Sequence, residues 1–363
     1  MDVIQSCYRC ISPSAKYYWV IEGDIKGCFD NIDHKILIGL LRKRIADRKL
    51  TGLIYKILKA GIQEKGKKIR PRVGTPQGGV ISPLLANIYL HELDKWWLDN
   101  YYLTKDKRHQ RRKEGLANFL LLRYADDFII LSNGGKKETE KMKLEVSEVL
   151  KGMKLELSEE KTAITHVFNG FDFLGFNIRK YKGTRVVIIK PTMKNIQRIR
   201  DRVDEYLNRK NLDYAVADVI VALNPVLRGW ANYYRYVNSK VILGKIQWYS
   251  HQKFLKWYRG KYQLGKSAGT IQALKWIDKK EPLHLFRIYD EIKVGKYYPE
   301  KGKYESNPYI TMKMKMYRDS PFVETQWFGQ SERSGDLRYE CFKRDKGVCQ
   351  ICMGCKTNLI AHH

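Results

Sequence analysis

Apolar and polar positions alternate in short runs through the first half of the chain and fall at helical spacing through much of the second. Residues Tyr17 to Ile25 are β-prone and apolar and lead into Asp24. A helical pattern follows from Asp33, with Ile36, Leu37, Leu40, Leu41 and Ile45 on one face. Asp33 is placed to cap that helix. The basic segment Lys65 to Arg72 predicts an exposed hairpin or loop, and Gly74 to Gly79 a Gly/Pro loop. A second helix is expected beyond it, carrying Ile81, Leu84, Leu85, Ile88, Leu93, Trp96 and Trp97. The strongly basic run Lys105 to Lys113 predicts an exposed insertion, with a plain solvated loop as its alternative. Phe119 to Arg123 and Phe128 to Leu131 predict two strands of a hairpin around Tyr124-Ala125-Asp126-Asp127. An amphipathic helix is expected over Lys136 to Met153, then short strands at Ala163 to Phe168, Phe173 to Ile178 and Arg185 to Ile189. From Pro191 to about Lys280 the pattern is helical, basic and aromatic. Strands and helices together give an α+β fold class.

Charge narrows the partners. Lys and Arg number 68 against 39 Asp and Glu, a formal net charge of +29 in 363 residues. That excess favours a polyanion, because each phosphate neutralised by Lys or Arg releases a counterion. No apolar run approaches the length of a membrane span. Met1 to Tyr18 lack the apolar core of a signal peptide, so an intracellular, cytoplasmic protein is expected. Seven cysteines split between the two ends do not suggest a disulfide framework. The 24 tyrosines and 8 tryptophans, mixed with Lys and Arg, suit base stacking beside phosphate contacts, or an ordinary aromatic core.

The candidate chemistry lies in three acids. Two-metal catalysis needs carboxylates from separate strands converging on divalent ions. Asp24 ends one predicted strand, and Asp126 and Asp127 sit at a hairpin turn about a hundred residues later. A paired aspartate in a turn is by itself ordinary turn chemistry. The surroundings change the weight. Tyr124-Ala125-Asp126-Asp127 between apolar strands resembles the acidic motif of reverse transcriptases. Asp24-Ile25-Lys26-Gly27-Cys28-Phe29-Asp30-Asn31-Ile32-Asp33-His34 resembles the first aspartate motif of the branch encoded in group II introns. Gly74 to Asn87 matches the loop-helix motif between them, and Leu157 to Thr162 and Phe173 to Phe176 match the two that follow.

The resemblance to group II intron-encoded reverse transcriptase/maturases covers essentially the whole chain. It implies a right-hand polymerase palm with partial fingers over 1–180, and an α-helical thumb/maturase domain over 190–295. A linker over 296–334 and an incomplete zinc-binding HNH endonuclease unit over 335–363 would follow. It implies Mg²⁺ held by Asp24, Asp126 and Asp127, with the Ile25 carbonyl as a further ligand. Phe29 matches the residue that crowds the sugar 2′ position, with a core phenylalanine as its plain alternative. Gln77 and Gly78 match the loop against incoming nucleotide and template. Lys161 matches a lysine near the triphosphate, and an ordinary surface lysine fits as well. The expected partners are group II intron RNA, a DNA target and primer, and deoxynucleoside triphosphates.

Gly229 to Tyr236 is the local signature of the maturase domain, whose helices would track RNA backbone with Arg228, Arg235 and Lys240 turned outward. Cys349-Gln350-Ile351-Cys352 has zinc-knuckle spacing. With His362 and His363 it resembles the opening of the HNH unit and is a second candidate metal site, for Zn²⁺. Only about twenty residues precede the Asp24 motif, and the HNH pattern stops at His363, so the resemblance implies truncation at both ends and an inactive nuclease. Two readings stay open. One is an RNA-directed DNA polymerase of a mobile intron that also binds intron RNA and assists splicing and mobility. The other is an RNA-binding maturase, or a degenerate fragment, without polymerase activity. Retron and diversity-generating reverse transcriptases share the palm motifs but lack the maturase-like segment, and Phe29 argues against a viral RNA polymerase.

Overall fold

The apolar runs flanking Tyr124-Ala125-Asp126-Asp127 form two antiparallel strands in the computed structural model of the protein. The structure describes residues 2–12, 16–60, 62–64, 67–69, 73–75, 79–184, 186–278, 283–288 and 292. They divide into two compact units, one within 1–169 and one from Gly170 onward.

The first unit opens with α1 (Asp2–Ile11), β1 (Trp19–Gly23) and the short α2 (Cys28–Asn31). Helices α3 (His34–Arg42) and α4 (Arg48–Lys59) follow, then a small hairpin of β2 (Ile62–Glu64) and β3 (Lys67–Ile69). Next come the long α5 (Ser82–Tyr101) and α6 (Lys105–Lys113). Strands β4 (Phe119–Tyr124) and β5 (Asp127–Ser132), helix α7 (Lys136–Gly152) and strand β6 (Ala163–His166) complete it. The sheet order is β4-β5-β1-β6, antiparallel throughout.

Strand alternation sends Ile21, Phe128 and Ile130 to one face, where they share a core with Leu90 and Leu93 of α5 and Met142, Val146 and Leu150 of α7. Asp33 caps α3 as its position predicts, accepting the amides of Lys35 at 2.9 Å and Ile36 at 3.0 Å. The buried face of α3 is Leu37, Ile38 and Leu41, with Ile36, Leu40 and Ile45 packed partly against it.

Two local expectations are corrected. The basic run Lys105–Lys113 is a helix, not a loop. Thr104 caps it, Arg111 Nη2 donates to the Ala117 carbonyl at 2.8 Å, and Asn118 Nδ2 donates to the Arg108 carbonyl at 3.0 Å. These tertiary bonds replace the apolar face that the sequence lacks. Phe173 to Ile178 is not one strand either. It spans the turn of a hairpin in the second unit, between β7 (Phe171–Phe173) and β8 (Phe176–Lys180). Leu174 and Gly175 both take positive φ, 49° and 79°, as a tight hairpin turn requires.

Strand β9 (Val187–Pro191) completes this second, three-stranded sheet. Helices α8 (Met193–Tyr206), α9 (Val216–Tyr234), α10 (Lys240–Tyr262) and α11 (Lys266–Lys275) follow. Their core gathers Val203, Ile220, Leu223, Leu227, Leu243, Ile246 and Phe254. Asn238, between α9 and α10, bonds both polar groups of the Ile189 backbone and so ties the strand to the helices. No helix among the described residues is long and apolar enough to cross a membrane.

Candidate active site

Register brings the predicted acids together. The β1–β5 ladder ends at the pair Gly23 and Phe128, so Asp24 and Asp127 each lie one residue beyond it, on neighbouring chain segments. In the β4–β5 ladder Tyr124 faces Asp127, which leaves Ala125 and Asp126 as a two-residue loop. Ala125 sits at φ 55°, a left-handed conformation that costs an L-residue about 1–2 kcal/mol. The Leu157–Thr162 segment docks alongside Asp24: the Ser158 amide donates to the Asp24 carbonyl at 2.8 Å, and Lys26 donates to Glu156 at 2.9 Å. That contact places Lys161 Nζ 3.4 Å from Asp24 Oδ2.

The electrostatics follow from this crowding. The Asp127 carboxyl is pushed above its ordinary value by partial burial, then by the charges of Asp126 and Asp24, with Lys161 opposing. Among the described residues no three His, Cys, Asp or Glu side chains are gathered closely enough to hold a metal ion as they stand. Asp127 feels the charges of the other two aspartates, and the hard oxygen chemistry of the three suits Mg²⁺, but their carboxylates would have to converge to share an ion.

The other predicted residues place as follows. Ile25 is buried and bridges Leu157. The backbone bonds flanking that bridge run through Asp24 and Lys26, not through the Ile25 carbonyl. Phe29 lies in α2, partly buried against the core. Its carbonyl accepts the Thr75 amide at 2.7 Å, and Gly74 donates to Ile32 at 2.8 Å. Gly74, at φ 92°, lets the chain approach so closely that a Cβ there would stand 2.7 Å from the Asp30 carbonyl oxygen. The first aspartate motif and the start of the Gly74 motif are therefore in contact. Gln77 and Gly78 lie outside the described residues, as do Cys349, Cys352, His362 and His363.

Sequence reasoning passed over Arg123. Its Nε and Nη2 grip Asp94 of α5 at 2.8 and 2.5 Å, while Nη1 donates to Asn87 Oδ1 at 3.1 Å and to the Ala125 carbonyl at 2.7 Å. Burial alone would raise the Asp94 carboxyl, but bonds from Arg123 and His91 outweigh it and hold the group low. The available signal was parity. Arg123 follows Phe119 and Leu121 on the core-facing side of β4, where a charge needs a partner. Cys28 of α2 is close by, its thiol pushed up to about 12 by burial and then by Asp126, with Arg123 opposing.

In the second unit the Gly229–Tyr236 signature serves structure. Tyr233 donates to the Leu174 carbonyl at 2.9 Å and Tyr234 to the Gly175 carbonyl at 3.1 Å. Both rings pack on Phe176. Arg228 and Lys240 are exposed and Arg235 is half-buried.

Residues 2–178 match the family model described as reverse transcriptase (RNA-dependent DNA polymerase), and residues 196–276 match the group II intron, maturase-specific domain. The chain is 31% identical over 348 residues to the group II intron-encoded protein LtrA of Lactococcus lactis subsp. cremoris, a match covering 75% of this chain and 58% of that protein. It is 38% identical over 197 residues to protein YkfC of Escherichia coli (strain K12), covering 48% of this chain and 52% of that one. The chain thus spans between half and three-fifths of the length of these two relatives. A telomerase from Candida albicans aligns over 77% of this chain and 52% of its own at 12% identity and a TM-score of 0.36, a likeness too low to carry the fold. The chain is built of a reverse transcriptase domain followed by a group II intron maturase-specific domain, homologous to LtrA.

Proposed function

We propose that this chain acts as an RNA-directed DNA polymerase of a mobile group II intron, and that it also binds the intron RNA and assists its splicing and mobility. The observation that supports the reading is the β1–β5 register, whose last pair, Gly23 and Phe128, adjoins Asp24 and Asp127 beside the turn that carries Asp126. In this reading the first unit is the palm with part of the fingers, and the helices after Pro191 are the thumb/maturase domain.

Asp24, Asp126 and Asp127 would hold Mg²⁺, with the Ile25 carbonyl as a further ligand. Bound there, the ion supplies charge neutralisation and activation of the primer hydroxyl. The chain's own residues do the positioning. Two strand ends and a tight turn fix the three acids, and the Leu157–Thr162 segment carries Lys161 to them. The Lys161 ammonium, 3.4 Å from Asp24, would hold a triphosphate oxygen and give a proton to the leaving pyrophosphate. Phe29, anchored through its own carbonyl to Thr75, would stand against the sugar 2′ position, and Gln77 and Gly78 against the nucleotide and template. The basic balance of the chain supports an RNA partner.

Primer extension on an RNA template in Mg²⁺ tests the polymerase. Asp126→Asn should lower extension by about a thousandfold, in the range expected for losing a principal electrostatic group, and should leave intron RNA binding in place. Extension that survives the substitution overturns the assignment. Intron binding by the unaltered chain without any extension supports the maturase-only reading instead. Cys349, Cys352, His362 and His363 are proposed as the opening of an HNH endonuclease unit. Zinc content of the purified protein that is unchanged by Cys349→Ser with Cys352→Ser overturns that part alone.

A further inference from the structure

The loop that carries Asp126 has no glycine, and its first residue is strained. Ala125 holds φ 55°, which an L-residue does not adopt without compensation. Besides the Tyr124–Asp127 pair that closes the hairpin, one side chain compensates it. Arg123 Nη1 donates to the Ala125 carbonyl at 2.7 Å. That carbonyl shares its peptide plane with the Asp126 amide, so fixing the oxygen fixes the plane from which Asp126 hangs.

The guanidinium is itself held from the other side. Asp94 takes Nε and Nη2 as a two-pronged pair, which leaves Nη1 aimed at the turn, and Asn87 takes a second bond from Nη1. Asn87 and Asp94 are seven residues apart on α5, close to two full turns, so they present on one face. The Arg123 and Asp94 side chains are only 12% and 22% exposed, so water competes weakly for these bonds. A lysine could carry the same charge but not this fork, since its ammonium is a point donor on a flexible stem.

We infer that Arg123 is a positioning residue: braced on Asn87 and Asp94 of α5, it holds the Ala125 peptide in its left-handed state and so sets the direction of Asp126. The role reaches beyond the acids themselves, because it makes α5, the helix that follows the Gly74 loop, the rigid backing of the acidic turn. Its activity consequence rests on the polymerase reading, whereas its structural consequence does not.

Hydrogen exchange of the amides in and around the turn, Ala125 to Phe128, tests it on the full chain. Arg123→Lys should speed exchange there by about tenfold or more while the α5 amides keep their rates, since opening is local. Asn87→Ala, which leaves the Asp94 pair intact, should do the same to a smaller degree and covers the case in which the lysine variant does not fold. In primer extension, kcat should fall about tenfold in Arg123→Lys with KM for primer-template nearly unchanged, the pattern of a lost transition-state interaction. Placing glycine at the strained position should shrink the effect, so Arg123→Lys with Ala125→Gly should exchange more slowly at the turn than Arg123→Lys alone. Turn amides at the original rate in a folded variant overturn the inference, as does faster exchange spread evenly through the sheet. A chain that fails to polymerise at all leaves the exchange result to decide Arg123, so the two failures are told apart.

Discussion

The ring of Phe128 lies over Gly23 at the end of the β1–β5 ladder, so closely that a Cβ on Gly23 would stand 2.2 Å from Phe128 Cζ. These two residues immediately flank Asp24 and Asp127. Glycine at 23 is therefore a steric requirement of the site. Gly23→Ala should displace the ring and destabilise the first unit by about 1–3 kcal/mol, the usual cost of overpacking. Extension activity should fall further than stability does, because the displaced strand ends carry the acids. Pairing the substitution with Phe128→Leu should recover much of the lost unfolding midpoint. A single and a double variant of equal stability would mean that the ring contact does not set the register.

Asp127 holds its proton more tightly in the folded chain than in the unfolded one, because of partial burial and the charges of Asp126 and Asp24. The sign follows. Ionised Asp127 opposes folding, and that opposition grows as pH rises through the ordinary carboxylate range towards the raised value. Asp127→Asn should thus raise the unfolding midpoint slightly at neutral pH, and the difference should close as pH falls below that range. The same substitution should abolish extension. Thermal unfolding of both proteins across pH checks it, and a variant less stable than the parent at neutral pH would contradict the crowding of the three acids.

The strand end at Asp24 and the hairpin turn at Asp126 and Asp127 were legible in the sequence because alternation and turn position are local signals, whereas the register between β1 and β5 was not. Asp33 was legible as a cap for the same local reason. Other features depend on contacts that no short window contains. Lys105–Lys113 has no apolar face, and its helix is held by bonds to residues 117 and 118. Leu174 gives no sign that it will adopt a left-handed conformation, since only its neighbour Gly175 is built for one. Arg123 entered the sequence reading only as the end of a predicted strand, and its partners lie 29 and 36 residues away on α5.

Asp33 shows the opposite pH behaviour to Asp127. It caps α3 and accepts Lys154 Nζ at 2.6 Å. The Lys154 bond, then the Ile36 amide, hold its carboxyl below the ordinary value against some desolvation. Its stabilisation is present above the unfolded carboxylate range and is lost as pH falls through the lowered value. Asp33→Asn keeps a capping oxygen and removes the ion pair, so it should flatten the acid limb of the stability profile by lowering its neutral plateau, with little difference from the parent at low pH. Asp33→Ala should lose about 1–2 kcal/mol from the missing cap. Equal losses for both variants would show that the cap contributes nothing beyond the charge.

Gly175 separates backbone strain from contact in the second unit. It sits at φ 79°, and a Cβ there would stand 2.4 Å from Asn195 Nδ2 and 3.0 Å from the Tyr234 hydroxyl oxygen. Those two groups are bonded to each other at 2.7 Å, and Tyr234 donates to the Gly175 carbonyl at 3.1 Å. Gly183, in the turn between β8 and β9, has a similar φ of 73° with nothing within 4 Å of its Cβ position. Gly183→Ala should cost only the left-handed strain, about 1–2 kcal/mol. Gly175→Ala carries that strain and also forces the Tyr234–Asn195 pair apart, adding about 1–3 kcal/mol for polar groups left without partners. Chemical unfolding of the two variants side by side measures the difference. A Gly175→Ala variant no less stable than Gly183→Ala would mean that the tyrosine signature does not clasp the turn, and would free Tyr233 and Tyr234 for another role.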